Sequence, residues 1–186
     1  MAHQGIIGLA HYFCFMKIIQ LKHIFLLGVS FIIGIQAFSQ SDTTAPIYIR
    51  YPEVPKFTID KASDSTGFTR DDLKKHEPVV FMIFSPECEH CQHETEKLLA
   101  NIDKFKDKNV QIVMVTYLPY DSMAGFYKKY KIADYPEITM GRDGKFFFPV
   151  FFKVRNLPSF YVYDKKGKFI KSFEGSVNTD LITDLL

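Results

Sequence analysis

Val79-Val80-Phe81-Met82-Ile83-Phe84-Ser85-Pro86-Glu87-Cys88-Glu89-His90-Cys91 is the stretch that decides the fold. Its first six residues are an unbroken apolar run, as expected of a strand buried on both faces of a sheet. A helical pattern then starts at Cys88, with Cys91, Thr95, Leu98, Leu99, Ile102 and Phe105 on one side. Glu96, Lys97, Asp103 and Lys104 fall on the outer face. Two cysteines so spaced at a helix start place both sulfurs on the first turn, close enough to form a small disulfide. The unpaired N–H groups and the dipole at that end favour negative charge, which suits Cys88 to attack as a thiolate. Cys91 can then resolve the mixed disulfide. Strand, dithiol and helix in this order read as a redox site.

Two other readings of the cysteines are weaker. A structural zinc site needs a second pair of ligands, and the one remaining cysteine is Cys14. His90 and His93 cannot join Cys88 and Cys91 around one ion on under two helical turns. A purely structural disulfide closing four residues would constrain the unfolded chain very little.

The 186 residues suggest one ordinary domain with an extension. Apolar residues make up 47% and 19 are Phe, so a sizeable core is available without any Trp. The formal charge is +2, and Lys17 and Lys22 are the only charged residues before position 40, so the rest of the chain balances at zero. No basic excess points to nucleic acid. The two lysines precede an apolar run, Ile24 to Ile35, and then Gln36-Ala37-Phe38-Ser39-Gln40. This pattern predicts a signal peptide over 1–39, cut after Ser39, with Met16 as the translation start. Twelve helical residues cover about 18 Å, short of the ~30 Å hydrocarbon core, so no stable span is expected after cleavage. The mature chain would keep two cysteines in a compartment that permits disulfides.

Residues 40–51 read as a tail and 52–186 as the domain. Pro52 to Ile59 leads into a short strand, Asp64-Ser65-Thr66-Gly67 makes a turn, and Phe68-Thr69 returns as a hairpin. Thr69 is expected to cap a short helix, Arg70 to Lys75. Val110 to Tyr117 is a second buried strand, giving a βαβ unit with the first. Asp121 or Ser122 is expected to cap a helix through Tyr130. Gly141 to Gly144 reads as a turn, and Phe146 to Phe152 fits helix and strand equally. Phe160 to Tyr163 is a strand, Asp164 to Gly167 a turn, Lys168 to Phe173 an edge strand, and Val177 to Leu186 a short helix.

The hairpin entered through Pro52 to Phe57, the Asp71-Asp72-Leu73-Lys74 segment, the apolar strand, Cys88-Glu89-His90-Cys91 and Leu157-Pro158-Ser159-Phe160 occur in a telling order. The chain resembles the TlpA/ResA-like branch of the thioredoxin superfamily, extracytoplasmic thiol–disulfide oxidoreductases, over residues 52–186. The resemblance implies an α/β thioredoxin-like fold: a central mixed sheet flanked by helices, with an added N-terminal β-hairpin. It implies that Pro158 is cis and faces the cysteines, and that the Leu157 backbone pairs with substrate polypeptide. It implies a general acid–base role for Glu94, three residues beyond Cys91. Two departures stand out. Met82 takes the place of a buried acid, and His90 replaces the usual Pro. A protonated His90 would favour the Cys88 thiolate, while Glu87 and Glu89 would oppose it.

The implied activity is dithiol–disulfide exchange with extracytoplasmic proteins, in cytochrome c maturation or general redox homeostasis. A membrane electron donor is implied, and no cofactor beyond the Cys88–Cys91 disulfide and no metal. Two alternatives belong to other classes. One is a copper-handling module using Cys88, Cys91 and a histidine. The other is a thiol peroxidase, for which Ser85 holds the position of the usual Thr but Glu87 replaces a hydrophobe.

Overall fold

Strand β3 (Val79–Ile83) is buried at every residue, and its side chains alternate between two cores. Val80, Met82 and Phe84 point to one side, Val79, Phe81 and Ile83 to the other. This two-sided burial is why the run is apolar without interruption. The coordinates are a computed structural model and describe residues 45–186. The expected leader, Met16, Cys14 and the cut after Ser39 lie outside the described residues.

The other strands are β1 (Thr58–Lys61), β2 (Gly67–Thr69), β4 (Gln111–Thr116), β5 (Ile138–Arg142), β6 (Ser159–Tyr163) and β7 (Phe169–Glu174). They form one seven-stranded sheet in the order β2-β1-β5-β4-β3-β6-β7. β3, β4 and β5 run parallel, and β1, β2, β6 and β7 pair antiparallel with their neighbours. Helices α1 (Ile47–Arg50), α2 (Glu89–Ala100), α3 (Ile102–Lys106), α4 (Tyr120–Lys129), α5 (Phe147–Phe152) and α6 (Thr179–Thr183) complete the chain. One core joins Leu98 of α2, Met123 and Phe126 of α4 and Ile182 of α6 to the sheet. The other is an aromatic layer in which Phe57, Phe81, Phe148 and Phe152 meet at ring-centroid separations of 5.3 to 6.0 Å.

Several expectations need correction. β5 was not anticipated: Gly141 and Arg142, read as a turn, belong to it, and the turn begins at Asp143. Nor is residues 40–51 all tail, because Ile47–Arg50 form a helical turn that seats Tyr48 edge-on against Phe152, Tyr161 and Phe169. The helix after Thr69 is a single 3₁₀ turn, Arg70–Asp72, closed by a reciprocal Thr69–Asp72 capping box. The long helix from Cys88 breaks at Asn101, where α3 takes over. α4 starts at Tyr120 behind Pro119, so Asp121 and Ser122 lie inside its first turn and do not cap it.

The ambiguous aromatic run is the helix α5. Its N-cap residue, Phe146, lies in the left-handed region (φ 55°) and offers no capping side chain. The buried carboxylate of Asp143 accepts the Phe148 N–H at 2.8 Å instead. Finally, Pro52 and Val54 pair with the start of β7: Phe169 N–H donates to Pro52 O (2.6 Å) and Val54 N–H to Gly167 O (2.9 Å).

Candidate functional site

β3 ends at Ile83, and past Phe84 and Ser85 the chain turns, with Cys88 N–H donating to Ser85 O at 3.2 Å. Cys88 becomes the N-cap of α2 in extended conformation (φ −86°, ψ 118°). It is half-buried, whereas Cys91, in the first turn, has no exposed surface. Both carry free thiols. Two contacts pin this corner. Ser85 N–H donates to Cys91 Sγ at 3.5 Å, and the Gln92 side-chain amide donates to Pro86 O at 3.0 Å.

Burial pushes the Cys91 thiol up to about 12, against the opposing pull of the Ser85 N–H; Cys88 and the Glu94 charge push it further the same way. At neutral pH Cys91 is therefore a protonated, enclosed thiol. Cys88 is the sulfur that a reaction partner meets first.

Glu94 is 3% exposed. Its Oε1 accepts from Lys97 Nζ (2.7 Å) and Ser176 Oγ (2.6 Å), and its Oε2 accepts from Val177 N–H (3.2 Å). Burial alone would raise this carboxyl. The Lys97, Ser176 and Val177 donors and the Lys97 charge outweigh it and hold Glu94 below the ordinary 4.5. Ser176 and Val177 were not anticipated, and Lys97 was read only as an outer-face residue. They come from more than seventy positions away or from the solvent side of α2, and no local spacing marks them.

Leu157 and Pro158 reach the site through the sheet. β3 and β6 are antiparallel with Ile83 opposite Ser159, so continuing the register sets Phe84 and Ser85 beside Pro158 and Leu157. Pro158 is buried, its bond to Leu157 is cis, and its carbonyl accepts from Gly175 N–H at 2.8 Å. Leu157 packs on both cores and Cys88 on the first. The structure thus gathers Cys88, Cys91, Glu94, Leu157 and Pro158 at one end of β3. His90 is exposed, on the solvent side of the first turn. Met82, fully buried, is one more core side chain. Among the described residues no group of three or more His, Cys, Asp or Glu converges as metal ligands. No described helix is long and apolar enough to cross a membrane.

Comparisons with known proteins bear on the fold and the family. Three solved structures share the fold. StoA from Bacillus subtilis matches with a TM-score of 0.57 at 16% identity, covering 72% of this chain and 98% of that one. A secreted Mycobacterium tuberculosis disulfide oxidoreductase homologous to Escherichia coli DsbE matches at 0.54 and 20%, covering 69% and 92%. The peroxidoxin BcpB from M. tuberculosis matches at 0.59 and 17%, covering 71% and 89%. No curated protein matches the sequence. The family model described as AhpC/TSA matches residues 52–179, most of the described chain. With its mixed seven-stranded sheet and its dithiol at the head of α2, the chain belongs to the AhpC/TSA family of thioredoxin-like oxidoreductases.

Proposed function

We propose that this protein is a TlpA/ResA-like thiol–disulfide oxidoreductase that exchanges the Cys88–Cys91 dithiol and disulfide with extracytoplasmic protein substrates. The observation that carries this reading is the asymmetry of the two thiols. Cys88 is reachable at a helix N-terminus, while Cys91 is sealed and protonated one turn inside. That arrangement suits a first attack by Cys88 and a second, intramolecular attack by Cys91. Leu157 supports the substrate side of the reading. Among the described residues its N–H and C=O enter no loop or turn hydrogen bond, leaving a short edge to which an extended peptide can add. A membrane electron donor and a place in cytochrome c maturation follow from the family resemblance and belong to the same proposal, as does export after cleavage near Ser39.

The peroxidase reading draws on the family and on BcpB. Ser85 stands where a peroxidase places its Thr, but its Oγ accepts the Glu87 N–H at 3.3 Å and is engaged beside the loop. Exchange is the better fit.

The test is trapping. A Cys91→Ala variant incubated with the extracytoplasmic fraction should accumulate mixed disulfides on Cys88, and Cys88→Ala should accumulate none. Equal trapping by both variants would overturn the roles. Rapid consumption of hydrogen peroxide by the reduced protein, with no trapped partners, would favour the peroxidase.

A further inference from the structure

Cys91 must lose its proton when it resolves a mixed disulfide, and Glu94 is a buried carboxylate on the same helix three residues further on. The carboxylate is nearly sealed from water, yet two donors on its Oε1 are side chains at the surface. Lys97 reaches over from one turn ahead, and its Nζ also donates to Ser176 Oγ at 2.9 Å. Ser176 Oγ in turn donates a hydrogen bond to Glu94 Oε1 at 2.6 Å. The three form a closed ring of hydrogen bonds, and its two outer members, Lys97 and Ser176, line an open depression of about 370 Å³ together with Asn101 and 177–180. The other charged group facing this depression is Asp180 of α6, and it is already paired with Lys104 of α3.

We propose that Lys97 and Ser176 are positioning residues: their clasp keeps Glu94 a fixed anion three residues beyond the resolving Cys91, engaged with its own donors and unable to take the Cys91 proton. This rests on the exchange reading and specifies how its resolving step is controlled. A carboxylate clasped by an ammonium, a hydroxyl and a backbone N–H is a poor acceptor for the Cys91 proton, which must leave to water. Its charge repels the thiolate, consistent with the upward push that Glu94 exerts on Cys91. With the clasp removed, burial remains and only the Val177 N–H opposes it, so Glu94 should take up a proton in a range where it is otherwise charged.

The Cys88 thiolate of the reduced protein attacks 5,5′-dithiobis(2-nitrobenzoate), forming the mixed disulfide and releasing one coloured thiolate. Cys91 then gives its proton to water and attacks the Cys88 sulfur. The Cys88–Cys91 bond forms, the mixed bond breaks, and the second coloured thiolate leaves with the electron pair. The rate of that second release is followed against pH, and Glu94 is titrated in parallel by carboxyl carbon NMR.

For Lys97→Met with Ser176→Ala, Glu94 should titrate about one pH unit higher or more, and the second release should gain an inflection between about pH 5 and 8. Adding Glu94→Gln should erase that inflection, and Lys97→Arg alone should retain the parent profile. An unshifted Glu94, or an inflection that survives Glu94→Gln, would overturn the proposal. A failure of the exchange reading looks different: the first release would not occur at Cys88, while the Glu94 titration would still report the clasp.

Discussion

The hydroxyl of Tyr163 is enclosed at the end of β6 without a hydrogen-bond partner among the described residues. Burial, aided by the neighbouring Tyr161 and Tyr48, pushes its ionisation far above the ordinary 10. An unmatched buried hydroxyl forfeits its water hydrogen bonds, at a typical cost of ~1–3 kcal/mol. Tyr163→Phe removes that oxygen and keeps the ring contacts with Phe81 and Phe169. It should leave stability unchanged or raise it by about 1 kcal/mol in urea unfolding; a loss of that size would reveal a partner for the hydroxyl. Glu94 sets a pH limit of the opposite kind. Its folded value lies below the ordinary 4.5, so its contribution is fully present above about pH 4.5 and is lost as pH falls through the lowered value. Thermal melts of parent and Glu94→Gln should therefore differ most near pH 6 and converge toward pH 3. At this scale the sequence showed the cysteine pair plainly, because the chemistry resides in adjacent residues. It could not show that Glu94 is buried, since its partners Ser176 and Val177 are set by the loop after β7.

Among the elements, β5 is the one that local pattern concealed. Its sequence, Ile138-Thr139-Met140-Gly141-Arg142, is short, carries a glycine and ends on a charge. Gly141 is there for space. A Cβ at this position would lie 2.8 Å from Ile59 Cδ1 and 2.9 Å from the carbonyl oxygen of Asp60, where β1 crosses to pair with β5. Gly141→Ala should force that junction apart at a cost of about 1–3 kcal/mol, lowering Tm by several degrees; an unchanged Tm would show that β1 shifts freely. α5 escaped for a related reason. Its first turn is satisfied by Asp143 from outside the helix, so no capping residue stood where a helix start is sought. β3, β4 and β6 were readable because they are buried on both faces and their composition records it.

For the whole molecule, the parallel strands β3 and β4 point their C-terminal ends to the same side, and the dithiol sits there at the head of α2. That placement follows from a strand–helix crossover and was legible from the order of motifs alone. What the molecule does with its electrons is a matter of potential. Equilibration of the protein in glutathione buffers should return a value near thioredoxin's, about −270 mV, if it works as a reductase; one near DsbA's, about −120 mV, would make it an oxidase.

The pairing of Pro52 and Val54 along β7, with the Glu53–Lys168 ion pair at 2.6 Å beside it, bears on colloidal behaviour. β7 is the outermost strand on its side, and an open row of amides and carbonyls there would template the addition of another chain. The protein's own leading segment occupies the start of that row. A fragment beginning at Lys56 would keep the dithiol and most of both cores but bare this rim, and it should pass from monomer to concentration-dependent aggregates in light scattering. Three residues away from the dithiol corner thus cover the start of an edge that would otherwise lie open to a second chain.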